Sequence, residues 1–387
     1  MRIGLFTEAY FPIISGVSIS VRTLKHELTK LGHTVYVITN DHEHAEAEDN
    51  VLRLGGYRLP MKGLREYRIG KVTRKKVREV GALKLDLVHC HTEFTMGRLG
   101  RRVARKYNLP VVHTYHTMYE DYVHFVSRTL ALPLRFASKI FSRSFANSAD
   151  LVVFPTIKVK RTFEKYGFTK PSYIVPTGIY LERFRKINFD KRNLTDIRHQ
   201  LGLLPEDFVC LFLGRLSREK SIDDLIEQFA KIDEEQVKLV LVGGGPDKDA
   251  FAERAKRLKI PHRVKFTGMI DPTEVGKYYQ IADLFVNFSV TETQGLTYIE
   301  ALASGVPLLV KYDDNLEGVV ENGYNGFTFR KNEEFVGLFE RIFDNPILLS
   351  QLTSNANKAI QKYSAATYAK KMNELYLTLF PQEGEVR

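Results

Sequence analysis

Short apolar runs recur along the chain, and most end in a polar turn leading into residues with helical spacing. The runs at 2–7, 33–39, 85–90, 109–114, 150–155 and 172–176 predict strands in the first half. Those at 208–213, 237–242, 264–266, 282–288 and 327–329 predict strands in the second half. Gly32-His33 closes the helix after the first strand, and residues 346–379 read as helical. Strands alternating with helices predict β-α-β units and an α/β fold class. The 387 residues suffice for two such domains. Pro176-Thr177-Gly178-Ile179 reads as a turn into a linker, which sets the expected boundary between domains 1–178 and 179–364.

One stretch carries more polar residues than its packing needs. Ser289 to Pro307 reads SVTETQGLTYIEALASGVP and follows the strand at 282–288. A turn through Glu292-Thr293-Gln294-Gly295 leads into a helix expected from about Leu296. Glu292 then lies in the loop and Glu300 one turn into the helix, both at the strand's carboxyl end. Ligands of open α/β sheets bind there, and the helix start favours an anion such as a diphosphate. The two carboxylates suit sugar and ribose hydroxyls. The alternative is a dipole partner in the first helical turn and ordinary helix-to-strand packing.

Other strand ends carry further candidates. Arg215 and Lys220 flank the loop after 208–213, before a helix for which Ser221 is the expected cap. Two cations there suit a diphosphate; otherwise they are exposed loop residues. Gly243 to Pro246 is a tight strand-to-helix turn. Gly16 opens the first helix and lets backbone amides approach a phosphate, or is a plain turn. The motif G-x-G-x-x-G does not occur there, so a nicotinamide dehydrogenase is weakly supported. His116 ends the strand at 109–114, next to Tyr119, Glu120, Asp121 and Tyr122. His89 and His91 lie two apart, and no third ligand with metal-site spacing accompanies them.

Charge divides the chain. Residues 1–185 hold 31 Lys and Arg against 16 Asp and Glu, and the rest hold 26 against 30, for a net charge of +11. Lys71, Arg74, Lys75 and Arg78 fall at helical spacing, and Arg98, Arg101, Arg102 and Arg105 repeat it. With Ile69, Val72, Leu99 and Val103 interleaved, these faces suit an anionic membrane surface; the alternative is a solvated helix face. In the aromatic, basic segment 127–146, Pro133 is an expected break. Its Leu132, Leu134, Phe136, Ile140, Phe141 and Phe145 belong to the core or to an acyl-chain entrance. Cys90 and Cys210 sit in apolar runs and read as buried small hydrophobes, which fits a reducing compartment. Glu8 interrupts what would be the apolar part of a signal peptide, and no run approaches the ~18 apolar residues of a membrane span. The expectation is a cytoplasmic protein, peripheral on the inner face of the cell membrane.

The Glu292…Glu300 spacing followed by EALASGVP resembles the retaining glycosyltransferases of the GT-B fold, specifically the GT4 family. Gly214-Arg215 with Glu219-Lys220 is similar to that family's GR…EK pattern, and PTGI at 176–179 stands where such chains carry PNGV. The strings HTEFTMG and HTYHTMYEDYVHF resemble the diacylglycerol glucosyltransferases of Gram-positive bacteria and their wall-less relatives. The resemblance implies two Rossmann-like parallel-sheet domains facing a cleft, with the last helix, about 365–387, returning to the first domain. It implies glucose transfer from UDP-glucose to the free hydroxyl of 1,2-diacylglycerol with retention of the α configuration.

By that resemblance His116, Arg215, Lys220 and Glu292 are catalytic, and Gly16, Met269, Gln294, Gly295, Leu296, Thr297 and Glu300 bind the nucleotide sugar. Met269 lies in Thr267-Gly268-Met269, the family's nucleobase segment. Asp313-Asp314 is a loop pair and no DxD motif stands at a strand end, so two fixed cations are expected to replace a metal, with no cofactor. Expected partners are a UDP-sugar, diacylglycerol or a related lipid, and an anionic membrane surface, with no nucleic acid. The alternatives are a GT4 enzyme with another lipid or soluble acceptor and, more distantly, a basic nucleic-acid-binding protein. The latter explains neither the carboxylates nor the absence of an RRM or helix-turn-helix signature.

Overall fold

The inner strands are runs of Val, Ile, Leu and Phe buried on both faces, the pattern of a parallel sheet covered by helices. The computed structural model describes residues 1–58, 66–118, 131–185, 189–358 and 360–380. They form two units: Met1–Ile179 together with the chain from Ala365 on, and Tyr180–Ser364.

The first unit begins β1 (Arg2–Phe6), α1 (Gly16–Lys30), β2 (Thr34–Asn40), β3 (Val51–Leu54), β4 (Tyr57–Arg58) and β5 (Arg68–Ile69). It continues with α2 (Arg74–Gly81), β6 (Leu87–Cys90), α3 (Thr95–Tyr107), β7 (Val111–Thr114) and α4 (Ala131–Ala146). It closes with β8 (Leu151–Phe154), α5 (Ile157–Lys165) and β9 (Ser172–Ile174). Seven strands pair in parallel in the order β3-β2-β1-β6-β7-β8-β9, while β4 and β5 form a small antiparallel pair. The order reverses between β1 and β6, whose register sets Leu5 opposite His89. Leu5, Val37 and Val112 pack toward α1, and Phe6, Val88 and Val152 toward Leu99 and Val103 of α3. Burial of each such side chain contributes about 1.5–3 kcal/mol.

The second unit runs α6 (Lys191–Gln200), β10 (Phe208–Leu213), α7 (Ile222–Phe229), β11 (Val237–Val242), α8 (Lys248–Arg257) and β12 (Val264–Gly268). Then come α9 (Val275–Gln280), β13 (Leu284–Asn287), α10 (Leu296–Ala303), β14 (Leu308–Lys311), β15 (Gly326–Phe329), α11 (Glu334–Phe343) and α12 (Pro346–Ala356). Its six parallel strands are ordered β12-β11-β10-β13-β14-β15, reversing between β10 and β13. The last helix, α13 (Ala365–Leu377), belongs to the first unit and packs on α1.

Several expectations are corrected. Residues 346–379 are helical in pieces: α12 ends at Ala356, and a 3-10 turn at Gln361–Tyr363 precedes α13. The Tyr363 hydroxyl donates to the Gly318 carbonyl at 3.2 Å and anchors this break in the second unit. Pro133 is not the expected break; it lies within α4. The strands β3, β4 and β5 escaped the hydrophobic pattern because they are short and incompletely buried. Both cysteines are free and buried, as their apolar surroundings implied.

Candidate active site

The reversal of strand order in the second unit sets the loops after β10 and β13 side by side at the carboxyl ends of their strands. The β10 loop carries Arg215 and the 3-10 turn Arg218–Lys220; the β13 loop carries Glu292 to Gly295. Lys220 Nζ lies 2.7 Å from Glu292 Oε1, both side chains largely sheltered from solvent. Thr291 Oγ1 donates to the Glu219 carbonyl at 3.1 Å, and Asn315 Nδ2 donates to the Glu292 carbonyl at 3.3 Å. The two loops are thus bonded to each other, not merely adjacent. Arg215 is exposed at the end of β10.

Close backbone approach explains the glycines nearby. A Cβ on Gly243 would collide with the Gly214 carbonyl oxygen, and one on Gly245 with that of Leu216. The Leu216 amide donates to the Gly244 carbonyl at 2.9 Å, and Asp247 Oδ2 accepts from the Arg218 amide at 3.1 Å. This clasp fixes the backbone on which Arg215 and Lys220 stand. Met269, 75% exposed, lies over Gly244, where a Cβ would be 2.7 Å from its Cγ.

Ser221 does not cap α7 as expected. It stands at the cap position in the left-handed region, φ 51°, and its side chain makes no capping bond. Asp223 and Asp224 supply negative charge to that first turn instead. At α10 the cap position is Gly295, φ 72°, so the first-turn amides at Leu296 and Thr297 meet no capping side chain. Gln294 is buried before them. One turn on, Glu300 Oε2 accepts from the Tyr279 hydroxyl at 2.8 Å. Glu300 keeps some exposed surface, yet the protein around it raises its carboxyl to about 7, chiefly by desolvation.

In the first unit, the loop after β1 leads to Ser15 and Gly16. Ser15 forms a reciprocal capping box with Ser18 and so caps α1. By contrast, the cap position of α3 is Phe94, whose side chain cannot cap. Glu8 does so from the end of β1: its Oε1 accepts from the Met96 amide at 2.5 Å, and Oε2 accepts from the Thr92 hydroxyl. Desolvation raises the Glu8 carboxyl to about 7.

His116 follows β7, and its Nε2 lies 2.9 Å from His91 Nδ1, with the rings stacked at 5.2 Å. Burial and His113 hold His116 down to about 3, and burial holds His89 and His91 well below the ordinary range. His89 is tied to Tyr376 of α13 at 2.7 Å and to Thr114 at 2.8 Å. No group of three metal-binding side chains occurs among the described residues. Tyr119, Glu120, Asp121 and Tyr122 lie outside the described residues. Tyr279, Asn315 and the capping role of Glu8 are not legible in the sequence, and His91 stood out there only beside His89; each acts through a partner far along the chain, and nothing local marks that partner.

The basic residues regroup. Arg74, Lys75 and Arg78 are exposed on α2, but Lys71 precedes the Thr73 cap and is not on that helix. Lys71 joins Arg98, Arg101, Arg102 and Arg105 of α3 in lining a groove of about 490 Å³. Arg98 and Arg101 lie over Phe141 and Phe145 of α4 at 5.8 and 4.8 Å. Of the apolar residues of that helix, Phe145 is buried, whereas Phe136 and Ile140 are exposed by 67% and 46%.

A family described as Glycosyltransferase Family 4 matches residues 14–183, and one described as Glycosyl transferases group 1 matches 194–359. A protein of Acholeplasma laidlawii named alpha-monoglucosyldiacylglycerol synthase is 39% identical over 100% of this chain and 99% of its own. One of that name from Streptococcus pneumoniae is 36% identical over 97% of this chain and 86% of its own. Among solved structures, Anabaena HepE in complex with UDP has a TM-score of 0.78 at 19% identity, over 98% of this chain and 100% of that one. The sucrose-phosphate synthase of Thermosynechococcus elongatus has a TM-score of 0.78 at 22% identity, over 98% and 99%. These likenesses show the GT-B fold.

Proposed function

The chain belongs to glycosyltransferase family 4, and from that premise we propose that it transfers glucose from UDP-glucose to the free hydroxyl of 1,2-diacylglycerol, retaining the α configuration. The convergence of Arg215, Lys220 and Glu292 on one switch point carries the donor half of this reading. Breaking the anomeric bond leaves negative charge on the diphosphate. Arg215, Lys220 and the first amides of α10 are the groups that stabilise it as it develops. Glu292 takes sugar hydroxyls and Glu300 the ribose, while Met269 lies at the nucleobase. We assign His116 a contact with the transferred sugar and the Gly16 amide one with the diphosphate, on the family resemblance. No side chain is assigned as nucleophile; the leaving phosphate takes the acceptor's proton. Fixed cations make a metal unnecessary for this charge.

The full-length similarity to two proteins named alpha-monoglucosyldiacylglycerol synthase supports the lipid acceptor. The arginine groove supports a peripheral place on an anionic membrane, each cation contributing on the order of 1 kcal/mol near an anionic leaflet. Among the described residues no helix is long and apolar enough to cross a membrane. The test is labelled glucose transfer from UDP-glucose to diacylglycerol in mixed micelles, with and without anionic lipid and without added metal. Labelled glycolipid that rises with anionic lipid is expected. Binding of UDP-glucose with no labelled lipid would remove the acceptor and keep the donor.

A further inference from the structure

Glu300 reaches the nucleotide site from inside α10, and a buried hydroxyl stands behind it. Tyr279 is wholly buried in α9, its ring against Phe184 and Phe285. Its hydroxyl lies 2.8 Å from Glu300 Oε2 and 3.3 Å from the Thr297 carbonyl. Both partners belong to α10, and Thr297 is in the turn assigned to the diphosphate. We propose that Tyr279 is a positioning residue for the nucleotide, holding Glu300 toward the ribose diol and linking nucleotide binding to the loss of a proton from Glu300. This rests on the ribose role given to Glu300 above.

The hydroxyl serves both states of the carboxyl. When Glu300 is ionised, Tyr279 donates to it. When Glu300 is neutral, its O–H donates to the Tyr279 oxygen, and the tyrosine proton turns to the Thr297 carbonyl. Neither state leaves a buried polar atom of this pair unmatched, so the carboxyl titrates without unpicking the helix. The elements packed on α10 are the 3-10 turn at Leu181–Phe184, α9 and β14. Their titratable groups are Glu182 and Arg183, Lys277, Tyr278 and Tyr279, and Lys311, and Tyr279 is the one hydrogen-bonded to Glu300. Desolvation places the Glu300 carboxyl at about 7. A ribose diol donates to the ionised form, so it draws the proton off as it binds.

The test is titration calorimetry of UDP binding between pH 6 and pH 8.5, in buffers of differing ionisation enthalpy, on the full chain. The wild type is expected to release a proton near neutral pH and to bind UDP more weakly as pH falls. Tyr279→Phe removes a hydrogen bond to a charged group, so UDP binding at pH 7 should weaken roughly tenfold or more and recover toward pH 8.5. Glu300→Gln should abolish proton release, and adding Tyr279→Phe to it should change affinity by less than about threefold. A Tyr279→Phe loss that is equal at every pH, or equal in the Glu300→Gln background, would reduce Tyr279 to packing and overturn the proposal. Comparison of UDP with 2′,3′-dideoxy-UDP on the wild type separates the two failures. Equal affinity for both removes the ribose role and the proposal with it; discrimination without Tyr279 coupling removes the proposal alone.

Discussion

Lys220 and Glu292, 72 residues apart in sequence, form an ion pair of 2.7 Å across the point where the second sheet reverses its strand order. The cation stands on the loop after β10 and the carboxylate on the loop after β13. In the function proposed above, the pair presets both charges that a nucleotide sugar meets: one for a diphosphate, one for hydroxyls.

Both side chains of that pair are largely sheltered, so removing the cation leaves the Glu292 carboxylate less well compensated and costs some stability, about 1–3 kcal/mol. Lys220→Ala should lower kcat by more than that loss explains, roughly a hundredfold or more where the variant stays folded, the scale of removing one group that stabilises developing charge. Calorimetric unfolding and initial rates on the same preparation check this. A Lys220→Ala enzyme turning over normally would sink the clamp.

Glu8 predicts a pH dependence of stability. Its folded carboxyl is raised to about 7 from 4.5, so the folded state holds the proton more tightly than the unfolded chain. The stability this gives is fully present below pH 4.5 and is lost as pH rises through 7, on the order of 3 kcal/mol across that window. Glu8→Gln keeps one neutral acceptor, for the Met96 amide, while its Nε2 donates to the Thr92 hydroxyl oxygen, and its unfolding free energy should vary less with pH between 5 and 8 than the wild type's. An unchanged slope in urea titrations would show that Glu8 does not titrate there.

The arginine groove predicts a salt-sensitive hold on anionic vesicles. The double variant Arg101→Glu, Arg105→Glu should lose most binding to vesicles containing anionic phospholipid at low salt, with UDP affinity retained. Sedimentation with vesicles at two ionic strengths measures it. Vesicle binding that survives the substitutions would place the membrane contact elsewhere.

Gly243 and Gly245 predict a stability cost with no chemistry in it. Gly243 has φ 133°, and a Cβ there meets the Gly214 carbonyl oxygen. Gly243→Ala should destabilise by about 1–3 kcal/mol and weaken UDP binding by displacing the β10 loop. Urea unfolding with UDP titration reads both, and a silent substitution would show that the two loops are not held together.

What the sequence by itself determined is what repeats locally. Apolar runs such as 208–213 and 237–242 became β10 and β11 residue for residue, because strands buried on both faces need unbroken hydrophobic stretches. Glu292, Gly295 and Glu300 were legible since one strand-loop-helix unit sets all three. Only the tertiary structure decided what meets across elements. It took Lys71 off the α2 face and placed it among the α3 arginines, and it capped α3 with Glu8, 88 residues from Met96. It set Tyr279 behind Glu300 and His91 beside His116. Those pairings depend on sheet order and helix docking, which no local spacing encodes. A buried polar group takes whichever partner the packed fold brings within hydrogen-bond distance, because leaving it without one costs more than about 1 kcal/mol.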